Sequence, residues 1–232
     1  MRKVSIALSA VGALLMLGAT TAAQASSRSV PDATPACGGG CFNLYSLAFG
    51  HNQIQSANVP GNNGTGGKVG QTINLKGATD SSPNEDFSGG FVGTVAQLCP
   101  EGQLSPYICN FYGTNSQWQG KFPVYESNWS PFGNESDLCI GVATPAFTNE
   151  NVTLRPCGVG SSTFWVADLS NAHIGYTPFL NGSDTNFTHP LVLTVVTGPK
   201  IGNRLRVVRE NLLSHGFVAN EQMFKLDFGV RL

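Results

Sequence analysis

Alternation of hydrophobic and polar residues is clearest at the C-terminal end of the chain. The apolar positions there are Phe224, Leu226, Phe228, Val230 and Leu232, with Lys225, Asp227 and Arg231 between them. Successive side chains of a β-strand point to opposite faces, so a period of two predicts a half-buried strand. Residues 191–196 are apolar and largely β-branched, and residues 204–207 alternate in the same way, so both stretches predict further strands.

Helical periodicity is the pattern that the chain lacks. No stretch keeps an apolar period of 3.6 residues over three turns between suitable caps. Only 12% of the residues are charged, whereas the chain has 28 glycines and 13 prolines, a composition typical of short strands and many turns. We therefore predict an all-β fold with almost no helix.

The first residues have the pattern of an export signal. Arg2 and Lys3 precede an apolar run over residues 4–17, and Ala23-Gln24-Ala25 has the small-x-small form that signal peptidase cleaves. A retained membrane anchor is the alternative, but the run is shorter than the roughly 20 apolar residues that span a bilayer. We expect residues 1–25 to be a signal peptide cleaved near Ala25, and the mature protein to be secreted.

The mature chain divides into a short leader and one domain. Residues 26–36 are polar, contain two prolines and have little to bury, so we expect a flexible leader. Residues 37–232 are enough for a single domain with a substantial core. No later segment is apolar enough to span a membrane, and the formal net charge of -1 does not favour nucleic acid or an anionic membrane as a partner.

Candidate catalytic and metal-binding residues are scattered along the chain. The four histidines form no short-spaced pair that would hold zinc, and no Gly-x-Ser-x-Gly motif provides a serine nucleophile. Two pairs of carboxylates suit acid–base chemistry or calcium, but neither pair lies in a recognisable ligand loop. These residues are His51, His173, His189 and His215, Glu85 with Asp86, and Glu135 with Asp137. We therefore expect no enzyme activity, no metal site and no cofactor.

Three stretches of the chain are similar to one another. Each has a short alternating strand, a turn-rich loop and then an aromatic residue. They run over residues 71–87, 151–165 and 203–224 and end on Phe87, Trp165 and Phe224. This predicts a threefold internal repeat with units of unequal length, in which the three aromatic rings lie together in one core. Dispersed rings would instead favour a β-sandwich.

The second repeat carries the most specific motif. Its residues are Cys139-Ile140, Cys157 and Thr163-Phe164-Trp165. In order and spacing they resemble the Cys-Leu pair, second Cys and Gln-x-Trp of the ricin B-type β-trefoil family, with Thr163 in place of Gln. Gln222-Met223-Phe224 keeps the Gln but has Phe for Trp. The resemblance implies a β-trefoil-like domain of three unequal repeats, with residues 99–129 as an insertion after the first.

Six cysteines in an exported chain predict disulfides rather than metal ligation. Local spacing favours the pair that closes residues 100–108, because this loop is rich in turn formers. The resemblance implies that the two cysteines of the second repeat are bonded. The remaining two flank three glycines, which tolerate the dihedral angles of such a small ring. The predicted disulfides are Cys99–Cys109, Cys139–Cys157 and Cys37–Cys41.

The resemblance breaks down at the expected sugar site. Lectins of the ricin type hold a sugar with an Asp shortly after the Cys-Leu pair, and this chain has Gly141 there. Glycine cannot supply the carboxylate that accepts two sugar hydroxyls, so we expect no simple-sugar binding at the repeat positions. Instead we predict ligand contact at Trp118 and Trp129, whose rings can stack on a sugar if they are exposed. The alternative is that these rings form a small core around the Cys99–Cys109 loop.

The sequence therefore favours a secreted, non-catalytic binding module, with a glycan or cell-wall polysaccharide as its ligand. A secreted effector or inhibitor that binds an extracellular protein through the same fold is the alternative. An exported hydrolase comes third.

Overall fold

Strands dominate the computed structural model, which describes residues 41–50, 52–56, 67–77, 86–113, 120–131, 134–185, 189–197 and 203–227. These residues all belong to one compact unit, Pro31–Leu232. The predicted signal peptide, the leader and Cys37 lie outside the described residues. The predicted C-terminal strand is present as far as Asp227, and residues 228–232 also lie outside.

The described strands and helices follow one another in a regular order. The strands are β1 Cys41–Ser46, β2 Asn52–Ser56, β3 Ile73–Gly77, β4 Phe87–Thr94, β5 Pro123–Trp129, β6 Leu138–Gly141, β7 Glu150–Asn151, β8 Thr153–Pro156, β9 Phe164–Ala167, β10 Phe179–Asn181, β11 Leu191–Val196, β12 Arg204–Arg209 and β13 Phe224–Asp227. Two short helices, α1 Val95–Leu98 and α2 Pro106–Tyr112, lie between β4 and β5. This agrees with the prediction of an all-β fold with almost no helix.

Six of these strands pair into a closed antiparallel ring. Strand β1 pairs with β4, β4 with β5, β5 with β9, and β9 with β10. An antiparallel bridge between Thr177 and Phe224 continues the ring from β10 to β13, and β13 pairs with β1. Closure leaves no free sheet edge in the ring, which removes the usual template for edge-to-edge aggregation.

Three hairpins lie against this barrel and pair with one another. They are β2–β3, β6–β8 and β11–β12. Asn74 of β3 pairs with Arg204 of β12, Asn151 of β7 pairs with Arg206, and a bridge joins Thr72 to Thr153. A six-stranded barrel with three mutually paired hairpins, built from three consecutive units of four main strands with the short β7 added in the second, is a β-trefoil. The predicted fold is therefore confirmed, with repeats running over β1–β4, β5–β9 and β10–β13.

The aromatic residue near the start of the last strand in each repeat lies in the core. Phe87, Trp165 and Phe224 belong to one buried cluster and are 0%, 4% and 0% exposed. The indole Nε1–H of Trp165 donates to the backbone carbonyl of Ile140 at 2.9 Å, so its polar atom is also satisfied. This confirms the predicted common core, and the β-sandwich alternative is wrong.

The insertion after the first repeat carries the two helices. At the first of them, the side-chain Oε1 of Gln97 accepts the backbone N–H of Thr94 at 2.9 Å. Before the second helix, the Ser105 hydroxyl accepts the Ile108 N–H at 3.3 Å, and Pro106 occupies the first turn, where it needs no N–H partner. The insertion ends before Pro123, because residues 123–129 form barrel strand β5.

Two of the predicted disulfides are formed. Cys139 and Cys157 are joined with an S–S distance of 2.05 Å, and Cys99 and Cys109 with one of 2.07 Å. Cys37–Cys41 stays a prediction, because Cys37 and the side chain of Cys41 lie outside what the structure describes. None of the helices in the described ranges has the length and apolar character needed to cross a bilayer.

Candidate functional site

The repeat position that holds a sugar in ricin-type lectins is closed by this chain's own backbone. Gly141 lies at the end of β6 and pairs with Thr153. A Cβ atom at this position would lie 2.8 Å from the carbonyl oxygen of Ser162 and 3.0 Å from Cγ2 of Thr163. The first distance is shorter than real Cβ atoms approach a backbone oxygen and the second is tight, so an Asp at this position requires the backbone to shift.

The two tryptophans predicted to bind ligand have different outcomes. Trp129 is the last residue of β5, is 1% exposed and belongs to the main core. Gly67 covers its ring so closely that a Cβ there would lie 2.2 Å from it. Its ring face is therefore not available for stacking on a ligand, which corrects the expected surface position. Trp118 lies outside the described residues, and its role stays a prediction.

The carboxylates singled out in the sequence do not assemble into a metal site. Asp86 is buried, and Glu135 accepts a hydrogen bond of 3.3 Å from the Ser88 hydroxyl. Across the part of the chain that the structure describes, no three His, Cys, Asp or Glu side chains come together as metal ligands. Glu85 lies outside this part.

An open cleft lies between the second and third repeats. One wall is the loop between β6 and β7, and the other includes residues 184–185, which follow β10. The cleft has a volume of about 270 Å³. Its lining residues are Ala146, Phe147, Thr148, Asp184, Thr185, Leu191 and Arg209.

Hydrogen bonds fix the first wall of this cleft. The Glu150 carboxylate accepts the backbone N–H of Ala143, and also that of Phe147 at 3.5 Å. The Ser183 hydroxyl, from the third repeat, accepts the Ala146 N–H at 3.1 Å. With its backbone fixed at both ends, the loop presents the Phe147 ring at the surface, where it is 58% exposed.

The second wall is fixed from two sides. The side chain of Asn181 accepts the Ser183 N–H at 3.0 Å and donates to the Ser162 carbonyl at 3.1 Å. Asp184 is 0% exposed, and its Oδ2 accepts the Leu191 N–H at 2.7 Å. Both walls are therefore held by buried polar groups of the chain itself.

The groups that face solvent in the cleft are a ring, two hydroxyls and a cation. Phe147, Thr148, Thr185 and Arg209 are all exposed. Arg209 ends β12 and forms no ion pair with any residue that the structure describes. The cleft can therefore stack a ring and donate hydrogen bonds to hydroxyl or anionic groups.

A second, much smaller space lies in the core between the barrel strands and the hairpins. Its volume is about 10 Å³, which is at most enough for one water molecule and excludes a ligand. It is lined by Leu44, Tyr125, Ser127, Ile140, Trp165, Phe179, Leu193 and Leu226.

A pair of carboxylates lies away from the cleft, next to helix α2. Asn171 Nδ2 is 3.0 Å from Oδ2 of Asp168 and 3.5 Å from Oε1 of Glu210. The Tyr112 hydroxyl donates to the same Asp168 oxygen at 3.0 Å. Burial, and then the nearby charge of Asp168, raise the pKa of Glu210 to about 7, and burial is also the main cause of the raised pKa of Tyr112. Asp168 is 2% exposed, and its hydrogen bond with Tyr112 holds α2 against the second repeat.

Comparison with known proteins gives structural similarity only. No protein-family model matches the chain. No curated protein matches it either. A designed threefold-symmetric protein, ThreeFoil, has a TM-score of 0.48 and 12% identity, over 81% of this chain and 98% of its own. The β-trefoil lectin of the Vibrio vulnificus hemolysin, solved with N-acetyl-D-lactosamine bound, has a TM-score of 0.45 and 15% identity, over 83% and 98%.

A third similar structure is the SDF2-like protein from Arabidopsis thaliana, with a TM-score of 0.46 and 11% identity, over 83% of this chain and 94% of its own. TM-scores and sequence identities this low do not show that these proteins share a function with this chain. The β-trefoil assignment rests on the strand pairing of the chain itself, namely the closed ring and the three joined hairpins.

Two residues of the cleft were not predicted as site residues from the sequence. Phe147 lies in a turn-rich segment, Thr144 to Asn149, where no strand or helix pattern would bury a ring. That isolated aromatic residue between two strands was the available signal. Arg209 follows Arg204 and Arg206 and was indistinguishable from a solvated charge until the fold placed it beside Phe147.

Proposed function

We propose that this protein is a secreted, non-catalytic binding module whose cleft holds a glycan, with cell-wall polysaccharide as the first choice. The observation that carries the proposal is the Phe147 ring, 58% exposed and lining a cleft whose walls are already fixed. A sugar presents a face of C–H groups that stacks on an aromatic ring, while its hydroxyls hydrogen-bond beside it. Thr148 and Thr185 supply hydroxyl partners in the same cleft.

The size of the cleft agrees with a small ring as ligand. Sites for drug-sized molecules have volumes of about 300 to 1,000 Å³, and this cleft, at about 270 Å³, lies just below that range. It suits one or two sugar residues of a longer chain. The polymer would continue into solvent through the open side.

Binding is favoured over hydrolysis by the positions of the carboxylates. Asp184 lines the cleft but is 0% exposed and accepts the Leu191 N–H. Asp168 and Glu210 do not line the cleft. A glycosidase needs two carboxyl groups on either side of the scissile bond, so this arrangement does not support the exported hydrolase. Secretion is supported by the two disulfides and by the predicted signal peptide.

Titration calorimetry of the purified protein against a panel of soluble polysaccharides and their oligosaccharides tests the proposal. We expect Phe147→Ala to weaken the affinity for a bound glycan at least about threefold, because the stacking surface is lost. Phe91→Ala is the matched control, since Phe91 is 60% exposed on β4 and lies outside the cleft. Absence of binding to every glycan tested, or equal losses in both variants, would rule out this function.

A protein-binding role is the second candidate, and an exposed apolar surface favours it. Its side chains come from the loop after β12 and the turn before β10, and they are 47% to 74% exposed. The His173 ring lies 5.0 Å from that of Phe217 and connects the two segments. The apolar members are Ile174, Leu212, Leu213 and Phe217. Such a surface often marks a protein interface.

The two functions are separated by two single substitutions. Phe217→Ser should abolish capture of a protein partner and leave glycan affinity unchanged. Phe147→Ala should weaken glycan affinity and leave capture of a protein partner unchanged. Loss of glycan affinity in Phe217→Ser, with Phe147→Ala unaffected, would move the glycan site to the loop after β12.

A further inference from the structure

We propose that the sugar held in the cleft carries a carboxylate, as a uronic or sialic acid does, and that Arg209 binds this group. The inference rests on the proposed glycan-binding function and adds its ligand class. Phe147 and Arg209 line the same cleft. One acidic sugar residue can therefore stack its ring on Phe147 while its carboxylate accepts hydrogen bonds from the guanidinium.

The side chain of Arg209 differs in its partners from the side chains of Arg155 and Arg206. Arg155 is 3.6 Å from the Glu150 carboxylate, and Arg206 donates from Nε to Asn151 at 3.1 Å. The exposed guanidinium of Arg209 makes no ion pair within the described ranges of the chain. Guanidinium groups match the planar, two-oxygen geometry of a carboxylate, so an unpaired Arg in a ligand cleft suits an acidic ligand.

The acidic groups near the cleft do not oppose such a ligand from its open side. Asp184 also lines the cleft, but it is 0% exposed and its Oδ2 accepts the Leu191 N–H, which stabilises the buried carboxylate within the wall. Glu210 follows Arg209 in the chain, but its carboxylate lies near Asn171, and it does not line the cleft. Glu150 is 7% exposed and accepts backbone N–H groups of the first wall. Among the residues that line the cleft, Arg209 is therefore the exposed charge.

Neutral parts of the same sugar have partners in the cleft as well. Thr148 and Thr185 are exposed and can donate to or accept from its hydroxyls. Carboxylate recognition thus adds charge selectivity to the stacking proposed above. The difference in affinity between an acidic sugar and its neutral counterpart measures the contribution of the carboxylate.

The experiment compares acidic sugars with neutral ones of the same shape. The first pair of probes is an oligogalacturonate and its fully methyl-esterified form, and the second is sialyllactose and lactose. We expect at least about tenfold tighter binding of the acidic member of one pair, the scale of one charge-assisted hydrogen bond. A difference in the first pair identifies a uronic acid as the source of the carboxylate, and a difference in the second pair identifies a sialic acid. Added salt should weaken the acidic complex and leave the neutral one unchanged.

Variants assign the effect to the cleft. Arg209→Gln should reduce affinity for the acidic probe at least about tenfold and leave affinity for the neutral probe unchanged. Arg204→Gln is the matched control, because Arg204 begins the same strand and does not line the cleft. Phe147→Ala should weaken the binding of both members of a pair.

The possible failures are distinct. Equal affinity for the acidic and neutral members of both pairs overturns the carboxylate inference but leaves glycan binding standing. Preference for an acidic probe that Arg209→Gln does not change overturns the role of Arg209. Absence of binding to these probes and to every other glycan overturns the proposed function itself.

Discussion

The hydroxyl of Tyr112 donates a hydrogen bond of 3.0 Å to Oδ2 of Asp168, joining the second helix of the insertion to the end of the second repeat. Both residues are 2% exposed, so the bond is shielded from water. A bond to an ionised carboxylate in such surroundings is stronger than one between neutral groups. It is therefore a principal polar contact between the insertion and the barrel.

Removing this hydroxyl should destabilise the fold without removing the ring. We expect Tyr112→Phe to lower the free energy of unfolding by about 1.5 to 3 kcal/mol, as for other hydrogen bonds to charged groups. Tyr107→Phe is the control on the same helix, since Tyr107 is 47% exposed, and it should cost less than about 0.5 kcal/mol. Urea denaturation of the three proteins measures the difference. Equal values for both variants would contradict the role of the Tyr112–Asp168 bond.

Glu210 should make stability depend on pH. Its pKa is raised from 4.5 to about 7, so between these values the folded state holds a proton that the unfolded state has released. This contribution to stability is present at low pH and is lost as the pH rises from about 4.5 to about 7. We expect Glu210→Gln to gain stability relative to the wild type over this window, because its side chain stays neutral.

Urea unfolding at pH 4.5, 6 and 8 tests this expectation for Glu210. Glu221→Gln, at an exposed site, is the control and should show the same offset from the wild type at each pH. An offset for Glu210→Gln that does not change with pH would mean that Glu210 titrates at its ordinary pKa in the folded protein.

Trp165 should be among the most sensitive core positions. We expect Trp165→Ala to lower the free energy of unfolding by about 3 to 5 kcal/mol, because it removes a large buried side chain and leaves a cavity. The change also leaves the Ile140 carbonyl without its indole donor. Trp165→Phe keeps most of the ring volume and should cost less. Thermal or urea unfolding that shows a loss below about 1 kcal/mol for Trp165→Ala would contradict its place in the common core.

The Cys139–Cys157 disulfide should stabilise the second repeat by restricting the unfolded chain. The two residues are 18 positions apart, and a loop of this length predicts a loss of about 2 to 4 kcal/mol when both are replaced by Ala. Urea unfolding of the double variant measures this loss. Peptide mapping of the unreduced protein checks the pairing directly, and a link from Cys139 to another cysteine would overturn it.

The trefoil was readable from the sequence because its signals are local. Phe87, Trp165 and Phe224 each lie near the start of a strand that closes a repeat, and the Cys139–Cys157 spacing marks the second repeat. The burial of Trp129 could not be predicted in this way, because it depends on the pairing of β5 with β4, which lies earlier in the chain. This residue faces Phe87 across β4 and β5, and nothing in its immediate sequence distinguishes a barrel strand from an exposed segment.

The cleft could not be predicted for a similar reason. Phe147 lies in the second repeat and Arg209 in the third, and only the threefold fold brings their segments together. Helices α1 and α2 are too short to show a 3.6-residue period, although Thr94 with Gln97 and Ser105 with Pro106 are capping signals.

Ser105 connects the insertion to one wall of the cleft proposed to bind a glycan. It caps α2, its N–H donates to the Gly182 carbonyl at 2.8 Å, and its hydroxyl donates to the Asp184 carbonyl at 2.5 Å. The wall that contains Asp184 is thus hydrogen-bonded to the insertion, which is not part of the threefold repeat. A shortened chain lacking the two helices could keep a complete trefoil and still lose the shape of the cleft. The insertion therefore supports one wall of this cleft through Ser105, a contact that the threefold repeat alone does not supply.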